Sequence, residues 1–530
     1  MIERINLNKT IINNGGGNSK QTPQFTGMAD LVVQPLQWFE QNPMLNVSLL
    51  DVTTAIGPRT YEESQTNSFA GFEAFRRESS GLVINCLIPG VIAYGLGKLI
   101  QNPIMGANSK MGKCLTNQET LDRVTTYWNE TEHIKNTEER VSATITNVIK
   151  SITGKDGHKD VKFADFEPLF NTHVETIKNN VFKDIKEYSE KEVKAASKKI
   201  IEHTHVSKNI KINGKEFDGG LESLIRDMPK ILKEYVDNRK FTATEVLEHA
   251  GKAKKFINVK SLLGMGVIIP LALAAQPINR WITQKTSGQK GAPIYKDFGK
   301  NQQRELTSKE KSKLLFHKIL SSAAMVGVAI LSMGGKFPSM KTLQFNGWFP
   351  SMDQARLIST TTFASRIMSS QDENDRREAT IRDIGTFSAL YFLGDYAAKF
   401  AATVIEKINP KIQLLNHKEE LKDGAGMLEK IKHWAKNTTL KTTEEAIGKA
   451  KTMRSVCQLA DIGFSLALLG VIIPKITRSK TDKAREAELK KEGMDNNAIE
   501  KFYPHFMMNS TGNKNFKAFF TANGNMVNSK

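Results

Sequence analysis

Six arginines are the residues of this sequence whose type and spacing best suit the binding of an anionic ligand. Arg59 and Arg366 each follow a Thr-Thr pair at the same distance, and an Arg-Arg-Glu triplet comes after each of them. Arginine forks match the oxygens of phosphate groups, so these residues predict a phospholipid head group as ligand. The alternative is structural, because repeated polar residues also mark helix caps and ion pairs. The candidate lipid or anion contacts are Arg59, Arg76, Arg77, Arg366, Arg376 and Arg377.

Three prolines and one charged pair form the second set of candidates. Pro89, Pro270 and Pro474 stand within apolar stretches, where a proline removes a backbone N–H and crowds the preceding turn. We therefore predict helix breaks at these three positions. Asp395 and Lys399 are four residues apart in another apolar stretch, which makes them a candidate intramembrane pair. An ordinary ion pair on a helix surface is the alternative.

Five apolar stretches must position these residues. They cover 81–100, 261–279, 319–333, 384–405 and 462–476, and all are rich in Gly, Ala and Ser. Most uninterrupted runs are shorter than the roughly 18 to 20 residues that cross a bilayer. Lys and Arg flank several stretches on both sides, which suits helices that enter and leave by one face, helices on an anionic surface, or core helices with solvated ends.

The chain also matches itself in several places, which predicts a tandem duplication. Residues 36–59 match 343–366 at an offset of 307, and the triplet 76–78 recurs at 376–378. The sequence GVIIP occurs at 266–270 and again at 470–474. The fall in offset from 300 to about 200 predicts that the first copy contains an insertion of roughly 100 residues. Residues 101–240 have the Lys/Glu-rich helical pattern of a soluble domain.

The predicted fold is all-α, with two tandem-duplicated helical modules, Pro-interrupted apolar helices and one inserted soluble helical domain. The predicted boundaries are a flexible tail at 1–27, the first half of module 1 at 28–100, the insertion at 101–240, the second half of module 1 at 241–300, a linker with an apolar helix (319–333) at 301–342, module 2 at 343–480 and a polar tail at 481–530.

The net charge of +19 points first to an anionic partner. Residues 283–530 hold +15 of it, spread over many short loops, and no nucleic-acid-binding motif accompanies it. We therefore expect anionic membrane lipid as a partner, allow for a protein partner and do not expect nucleic acid. The three cysteines lack a CxxC spacing, and the first 27 residues lack the apolar core of a signal peptide. These features predict a membrane-associated protein on the intracellular side, with reduced thiols and no cleaved signal peptide.

No motif predicts catalysis, a cofactor or a metal. His203 and His205 lack a third ligand at a recognisable spacing, and the segment 155–167 fails the calcium-loop pattern because Ile152 and Phe163 fall at ligand positions. We therefore expect a protein that is not an enzyme.

The sequence predicts a membrane-associated structural or scaffolding protein, whose apolar helices lie in or on lipid and whose basic flanks bind anionic head groups. A soluble helical scaffold for protein interactions is the alternative. A transporter or channel is the second alternative, because three crossings between the first and fourth stretches would make the two copies inverted repeats.

Overall fold

Most of the residues that the structure describes are α-helical, which confirms the predicted fold class. The computed structural model describes residues 33–499 except 34, 38, 40–42, 107–108, 110–116, 154–161, 166, 184–186, 205–209, 213–214, 218–220, 238–241, 301–304, 336, 346–349, 418–425, 444 and 495–498. Within these residues the strands form two antiparallel pairs, β1 (Ile210–Ile212) with β2 (Lys215–Phe217) and β3 (Leu415–His417) with β4 (Thr438–Leu440). The tail predicted at 1–27 and the last residues of the chain lie outside the described residues.

The helices are α1 (Pro43–Leu50), α2 (Gly57–Ser64), α3 (Ser68–Leu82), α4 (Ile88–Met105), α5 (Gln118–Glu130), α6 (Thr137–Lys150), α7 (Glu167–Phe182), α8 (Glu190–Thr204), α9 (Leu221–Asp237), α10 (Ala243–Ser287), α11 (Ser308–Ser332), α12 (Met352–Met368), α13 (Glu373–Ser388), α14 (Gly394–Ile408), α15 (Met427–Asn437), α16 (Lys449–Ala467) and α17 (Ile473–Lys491). Four π turns, at Asp51–Ile56, Val83–Leu87, Ala389–Leu393 and Leu468–Ile472, join consecutive helices end to end. A 3-10 turn covers Phe163–Asp165.

Seven long helical rods result. Rod 1 is 43–64, rod 2 is 68–105, rod 3 is 243–287, rod 4 is 308–332, rod 5 is 352–368, rod 6 is 373–408 and rod 7 is 449–491. Thr242, Thr307 and Ser351 begin rods 3, 4 and 5, and each accepts a hydrogen bond from the backbone N–H three residues later. The side chain at that third position, Glu or Gln, bonds back to the capping residue, so these sequences fix where the rods start.

Rods 2 and 3 are antiparallel. Arg76, near the start of rod 2, donates hydrogen bonds to Asn279 and Thr283 near the end of rod 3. Ile100, near the end of rod 2, packs against the cluster that contains Phe256 from the first half of rod 3. Rod 1 turns back along rod 2 in the same way, because Gly71 of rod 2 lies directly against Ser64 at the end of rod 1.

Rod 5 runs parallel to rod 3. Gln344, just before rod 5, donates to Asn258 in the first half of rod 3 (2.7 Å), whereas Ser365 near the end of rod 5 donates to the carbonyl of Leu273 (2.6 Å). A short turn then reverses the chain into rod 6, which is therefore antiparallel to rods 3 and 5 and runs in the same direction as rod 2.

Rods 4 and 7 complete the alternation of rod directions. His317 of rod 4 contacts Glu373 of rod 6, and Ser321, further along rod 4, accepts a hydrogen bond from Arg376, further along rod 6. Rod 4 is therefore parallel to rod 6. Rod 7 is antiparallel to rod 6: Thr481 contacts Glu378, and Asp461 lies against Gly394. The seven rods thus form an up-and-down bundle in which odd-numbered and even-numbered rods point in opposite directions.

This arrangement corrects the inverted-repeat prediction. The first apolar stretch lies in rod 2 and its proposed partner lies in rod 6, and these rods point in the same direction. The expected three crossings between these stretches leave out rod 5 (352–368), because its mixed polar and apolar residues do not form an apolar stretch. The rods that carry the two matched stretches are therefore parallel rather than inverted, and the duplication itself stays a prediction.

The two ends of the bundle differ. At the end that we call the domain end, rod 2 leads into residues 117–237, whose five helices share one core with the start of rod 3. The described residues between rods 6 and 7, which are 409–417, 426–443 and 445–448, lie at the same end, since both rods meet them there. The opposite end, which we call the ion-pair end, holds the turns between rods 1 and 2, rods 3 and 4, and rods 5 and 6.

None of the three prolines breaks its helix, which corrects the predicted breaks. Pro89 and Pro474 each follow a π turn by two residues, and the N–H of the residue before each proline bonds the carbonyl five residues back. The wider π turn accommodates the ring and the missing N–H, so rods 2 and 7 continue. Pro270 lies inside the uninterrupted rod 3.

The segment 301–342, predicted as a linker with an apolar helix at 319–333, contains rod 4, which packs in the bundle through Met325 and Ala329. One predicted boundary differs from the structure. The polar tail assigned to 481–530 begins inside rod 7, where Arg485 and Leu489 are buried. The polar sequence of 481–491 hid this, because its buried positions form only a narrow stripe on a charged helix.

Candidate functional site

The outward faces of rods 2, 3, 4 and 7 carry exposed, large apolar side chains, which we call the apolar belt. Only 22% to 44% of each rod's most apolar segment is buried. The belt includes Leu87 and Val91 on rod 2, Leu262 and Val267 on rod 3, Ile319 and Leu320 on rod 4, and Leu466 and Val471 on rod 7. Both GVIIP segments have this two-sided character, since Ile268 and Ile473 are buried whereas Val267 and Val471 are exposed.

The belt has the height of a bilayer core. Residues 79–97 of rod 2 and 261–279 of rod 3 contain no charged side chain. Residues 455–474 of rod 7 contain a single one, Asp461, which is buried. We call these three segments the belt stretches. At 1.5 Å per residue they are about 28 to 30 Å long, which matches the roughly 30 Å of hydrocarbon in a membrane.

The belt stretches of rods 2 and 3 lie side by side, whereas the belt stretch of rod 7 packs against rods 6 and 1. At the ion-pair end, Glu73 of rod 2 contacts Arg280 of rod 3 at 2.8 Å, so the stretches of these two rods end within about two helical turns of each other. Arg280 also contacts Asp375 of rod 6 at 2.6 Å. Rods 2, 3, 4 and 7 are the four helices in the described part of the chain that are long and apolar enough to cross a membrane.

The fourth apolar stretch, 384–405, is not among these four helices. It lies in rod 6, where only the residues from 384 to 394 separate Asp383 from Asp395. Its outer face is nevertheless apolar, because Tyr396, Phe400, Val404 and Ile408 follow one another every four residues and all are exposed.

A buried ion-pair network closes the bundle at the ion-pair end. Its centre is Glu78, whose Oε1 lies 3.2 Å from Arg59 Nη1 and 3.6 Å from Arg366 Nη2. Arg366 also donates to Asp383, and Arg59 donates to the hydroxyl of Thr386. Arg59, Glu78, Arg366 and Asp383 are at most 5% exposed, so these charges are removed from water and neutralise one another.

The network extends outward through Glu63. Arg382 contacts Glu63 at 2.6 Å and Glu378 at 3.4 Å. Thr481 of rod 7 donates to Glu378 at 2.5 Å, and Arg77 lies 3.9 Å from Glu63. Rods 1, 2, 5 and 6 therefore contribute charges to one network, and rod 7 contributes the hydroxyl of Thr481.

Burial raises the pKa values of the carboxyl groups in the network, and the neighbouring arginines lower them. Burial raises the pKa of Glu378 to about 7 and that of Asp383 to about 6, although Arg382 and Arg366 oppose these shifts. Burial also acts on Glu63, but Arg382 and Arg77 outweigh it and hold the pKa of Glu63 below its ordinary value. Burial lowers the pKa of Arg366 to about 10.

The structure places three of the six candidate arginines in this network rather than at a lipid surface. Arg59, Arg77 and Arg366 are buried and face carboxylates, so their guanidinium groups do not reach a head group. The repeated arginines thus have the structural role that the sequence left open. Type and spacing alone could not distinguish the two roles, because a carboxylate and a phosphate present similar oxygens to a guanidinium group.

The other three candidates are half-buried at the same end of the bundle. Arg76 bonds Asn279 and Thr283 of rod 3. Arg376 bonds Ser321 and Glu373, and Arg377 bonds Asn374 at 2.9 Å. Their side chains are therefore engaged within the protein.

Rods 2 and 6 carry the same features in the same order. Asn67 and Asp372 cap the two rods, and the π turns begin at Val83 and Ala389. When the caps are superimposed, the segments 73–78 and 378–383 align, so Glu73-Ala74 meets Glu378-Ala379 and Arg77-Glu78 meets Arg382-Asp383. The ion pair between Arg59 and Glu78 then corresponds to that between Arg366 and Asp383.

An alignment of the two Arg-Arg-Glu triplets, at an offset of 300, does not pair Arg77-Glu78 with Arg382-Asp383. The helix caps at Asn67 and Asp372 set a different register. The signal that could have identified them is the spacing Glu-Ala-x-x-Arg-acid, which occurs at 73–78 and 378–383.

The candidate pair Asp395 and Lys399 lies toward the domain end of rod 6. Asp395 is exposed and Lys399 is buried. The Lys399 ammonium group donates to the carbonyls of Trp434 and Ala435, at 2.6 and 3.2 Å, and lies 4.5 Å from the centre of the Trp434 ring. Lys399 thus fastens α15 to rod 6.

The described residues contain no group of three His, Cys, Asp or Glu side chains that could hold a metal ion. His203 stacks on His173 with ring centres 6.1 Å apart, and His205 and most of 155–167 lie outside the described residues. A cavity of about 20 Å³ beside Arg59, Glu63 and Glu378 has room for about one water molecule. Cys86 and Cys457 are buried free thiols.

The chain was compared with known proteins at the levels of family, sequence and fold. It matches no family model, no curated protein and no solved structure.

Proposed function

We propose that this chain is an integral membrane scaffold: rods 2, 3, 4 and 7 cross the bilayer, and the bundle holds residues 117–242 and 409–448 at one membrane surface. The observation that carries the proposal is the apolar belt. Three rods expose large apolar side chains over the belt stretches, which have no exposed charged side chain and are bounded by charges at both ends. Water-soluble proteins rarely expose a contiguous apolar patch larger than a few hundred Å².

The interior of the bundle supports a structural role. Apolar clusters fill it along the rods, and the ion-pair network fills the ion-pair end. The cavity of about 20 Å³ at that end is far smaller than the roughly 300 to 1,000 Å³ of ligand pockets. We therefore place partner contacts at the domain end and on the outer surface.

Extraction from membranes tests the proposal. Cells that express the full chain are lysed, and the membrane fraction is washed with high salt, with alkaline carbonate and with detergent. An integral protein stays in the pellet after salt and carbonate and is released only by detergent. Release by salt or carbonate would show surface attachment, and recovery in the soluble fraction would favour the soluble scaffold.

A variant links the result to the belt. Replacing Leu262, Val267 and Leu271 of rod 3 by serine interrupts one apolar face, because all three side chains are exposed. We expect part of this variant to move to the carbonate-soluble or aggregated fraction. As a matched control, the exposed residue Leu247, which lies on the same rod beyond the belt stretch, is replaced by serine and leaves the distribution unchanged.

A further inference from the structure

Helix α15 (Met427–Asn437) is an amphipathic helix with no fully buried residue. Its sequence, MLEKIKHWAKN, places Met427, Leu428 and Ile431 within an arc of about 100°, at 100° of rotation per residue. These side chains are 80%, 73% and 51% exposed. The helix therefore presents an apolar face that no other described part of the chain covers.

Basic residues border this face. Lys432 follows the apolar arc on one side and Lys430 precedes it on the other, with Lys436 next to Lys432 around the helix. Glu429 is the one acidic residue of the helix, and its carboxylate accepts a hydrogen bond from the N–H of Gly426 at 3.2 Å. A helix with an apolar face between lysines is typical of segments that lie in the plane of an anionic membrane surface.

The attachment of α15 fixes its depth. Trp434 donates from Nε1 to the hydroxyl of Thr403 at 2.9 Å, and its ring centre is 6.1 Å from that of Tyr396. Since Gly394 of rod 6 lies beside Asp461 of rod 7, Thr403 lies near the level of Arg454, where the belt stretch of rod 7 ends. Helix α15 is therefore held at the domain-end edge of the belt.

Helix α15 attaches beside an apolar stripe of rod 6. Tyr396, Phe400, Val404 and Ile408 form an exposed stripe that runs along rod 6 past the point where Trp434 attaches. Trp434 thus brings α15 next to the apolar stripe of rod 6. A bilayer edge is the environment that accommodates both the apolar stripe and the row of lysines.

We propose that α15 lies in the interface of an anionic leaflet at the domain end, with Met427, Leu428 and Ile431 among the acyl chains and Lys430, Lys432 and Lys436 on lipid phosphate groups. This inference rests on the proposed membrane function and adds the lipid class and the residues that recognise it. Helix α15 then links the scaffold to the charge of the leaflet on which residues 117–242 and 409–448 lie.

The test measures the depth of single fluorescent labels in the full chain, reconstituted in nanodiscs. Leu428→Cys carries an environment-sensitive fluorophore, in a background with Cys114 replaced by serine and the buried Cys86 and Cys457 retained. Leu271→Cys in the belt is the control for immersion. Leu247→Cys precedes Ser261 on rod 3 and lies about 21 Å beyond the belt, so it is the control for water.

We expect a quencher attached to lipid acyl chains to quench the label at residue 428 and at residue 271 but not at residue 247. Quenching at 428 is stronger in discs that contain phosphatidylglycerol than in phosphatidylcholine discs. Replacing Lys430, Lys432 and Lys436 by glutamine removes this difference, because each lysine near an anionic surface changes the equilibrium about fivefold.

The outcomes separate the two proposals. If residue 271 is quenched and residue 428 is not, the inference on α15 is wrong and the membrane proposal stands. If neither is quenched, the membrane proposal itself fails. Quenching at 428 that is equal in both lipids overturns the anionic preference, and a label at 428 that is shielded only by an added protein partner assigns the face to that partner.

Discussion

Arg59 and Arg366, which lie in different halves of the chain, contact the same oxygen atom, Oε1 of Glu78. Each guanidinium group also has a second partner on rod 6, which is Thr386 for Arg59 and Asp383 for Arg366. The two residues that the sequence paired across the chain therefore meet in space and connect both halves of the bundle. Their partners come from rods 2 and 6, so the network sets how these rods approach each other.

Because Arg59 and Arg366 share the carboxylate of Glu78, we predict that Glu78→Gln strongly lowers the free energy of unfolding. Glutamine keeps the shape but removes the charge, and Arg59 and Arg366 stay buried with one carboxylate, Asp383, in direct contact. Removing one partner of a buried ion pair costs about 3 to 5 kcal/mol. We expect the free energy of unfolding in detergent micelles to fall by this amount, measured by titration with a denaturing detergent.

The matched control for that substitution is Glu62→Gln. Glu62 contacts Arg478 at 2.8 Å, but both side chains are about one-third exposed. Exposed ion pairs contribute about 0 to 1 kcal/mol, so this variant should unfold close to the wild type. Equal losses for the two variants would show that Glu78 carries no special share of the network.

The raised pKa of Glu378 predicts that stability depends on pH. Burial raises this pKa to about 7, whereas the ordinary value is 4.5. Between these values the folded protein binds a proton at Glu378 that the unfolded chain does not, so the free energy of unfolding increases as the pH falls from about 7 to 4.5. The slope from this one group is at most about 1.4 kcal/mol per pH unit.

Glu378→Gln isolates this contribution, because glutamine does not titrate. The difference in unfolding free energy between the variant and the wild type should change across this window and become constant once the pH is well above the raised pKa. Other groups, such as Asp383, titrate in both proteins and cancel in the comparison. A difference that is independent of pH would contradict the raised pKa.

The sequence predicted the helical class and the apolar stretches because both depend on local patterns. The spacing of apolar residues and the caps at Thr242, Thr307 and Ser351 are visible in the chain. The direction of the rods was not predictable in this way, since it depended on rod 5, which is not apolar. Packing, rather than composition, makes rod 5 part of the bundle: Ala355, Ile358 and Ile367 are fully buried.

The candidate site was predicted by position but not by role. Arg59 and Arg366 were identified from the repeat, yet the sequence could not show that carboxylates from rods 2 and 6 would surround them. The prolines were misjudged because a π turn is invisible in the sequence: Pro89 and Pro474 stop a regular α-helix, but a turn with one extra residue absorbs them.

Two glycines of rod 3 provide a test of packing. A Cβ atom on Gly264 would lie 2.6 Å from Cε2 of Phe345, a fully buried ring, whereas a Cβ atom on Gly266 would meet nothing within 4 Å. Gly264→Ala forces the ring or the rod to shift and should lower the unfolding free energy by about 1 to 3 kcal/mol. Gly266→Ala should be neutral or stabilise by up to about 1 kcal/mol, because alanine favours helix.

Thermal unfolding of both variants in the same detergent measures this difference. The pair controls for helix propensity, since both changes are the same and lie close together on one rod. If Gly264→Ala unfolds at the same temperature as Gly266→Ala, the segment around Phe345 does not pack against rod 3 as described.

The direction of the rods predicts which parts of the chain share a membrane face. Rods 2 and 6 both run toward the domain end, so Lys191 in the domain at 117–242 and Lys411 after rod 6 should lie on the same side. Lys290, in the turn after rod 3, should lie on the other side. All three side chains are exposed and suit single cysteine substitutions.

A membrane-impermeant maleimide, applied to sealed vesicles that carry each variant, reports the side directly. In sealed vesicles of one orientation, we expect Lys191→Cys and Lys411→Cys either both to react or both to be protected. Lys290→Cys should show the opposite behaviour in vesicles of the same orientation. Detergent should make all three equally reactive, which controls for local shielding. Reaction of Lys191→Cys and Lys411→Cys on opposite sides would mean that an odd number of crossings separates them, as in the inverted-repeat arrangement, and would contradict the parallel course of rods 2 and 6.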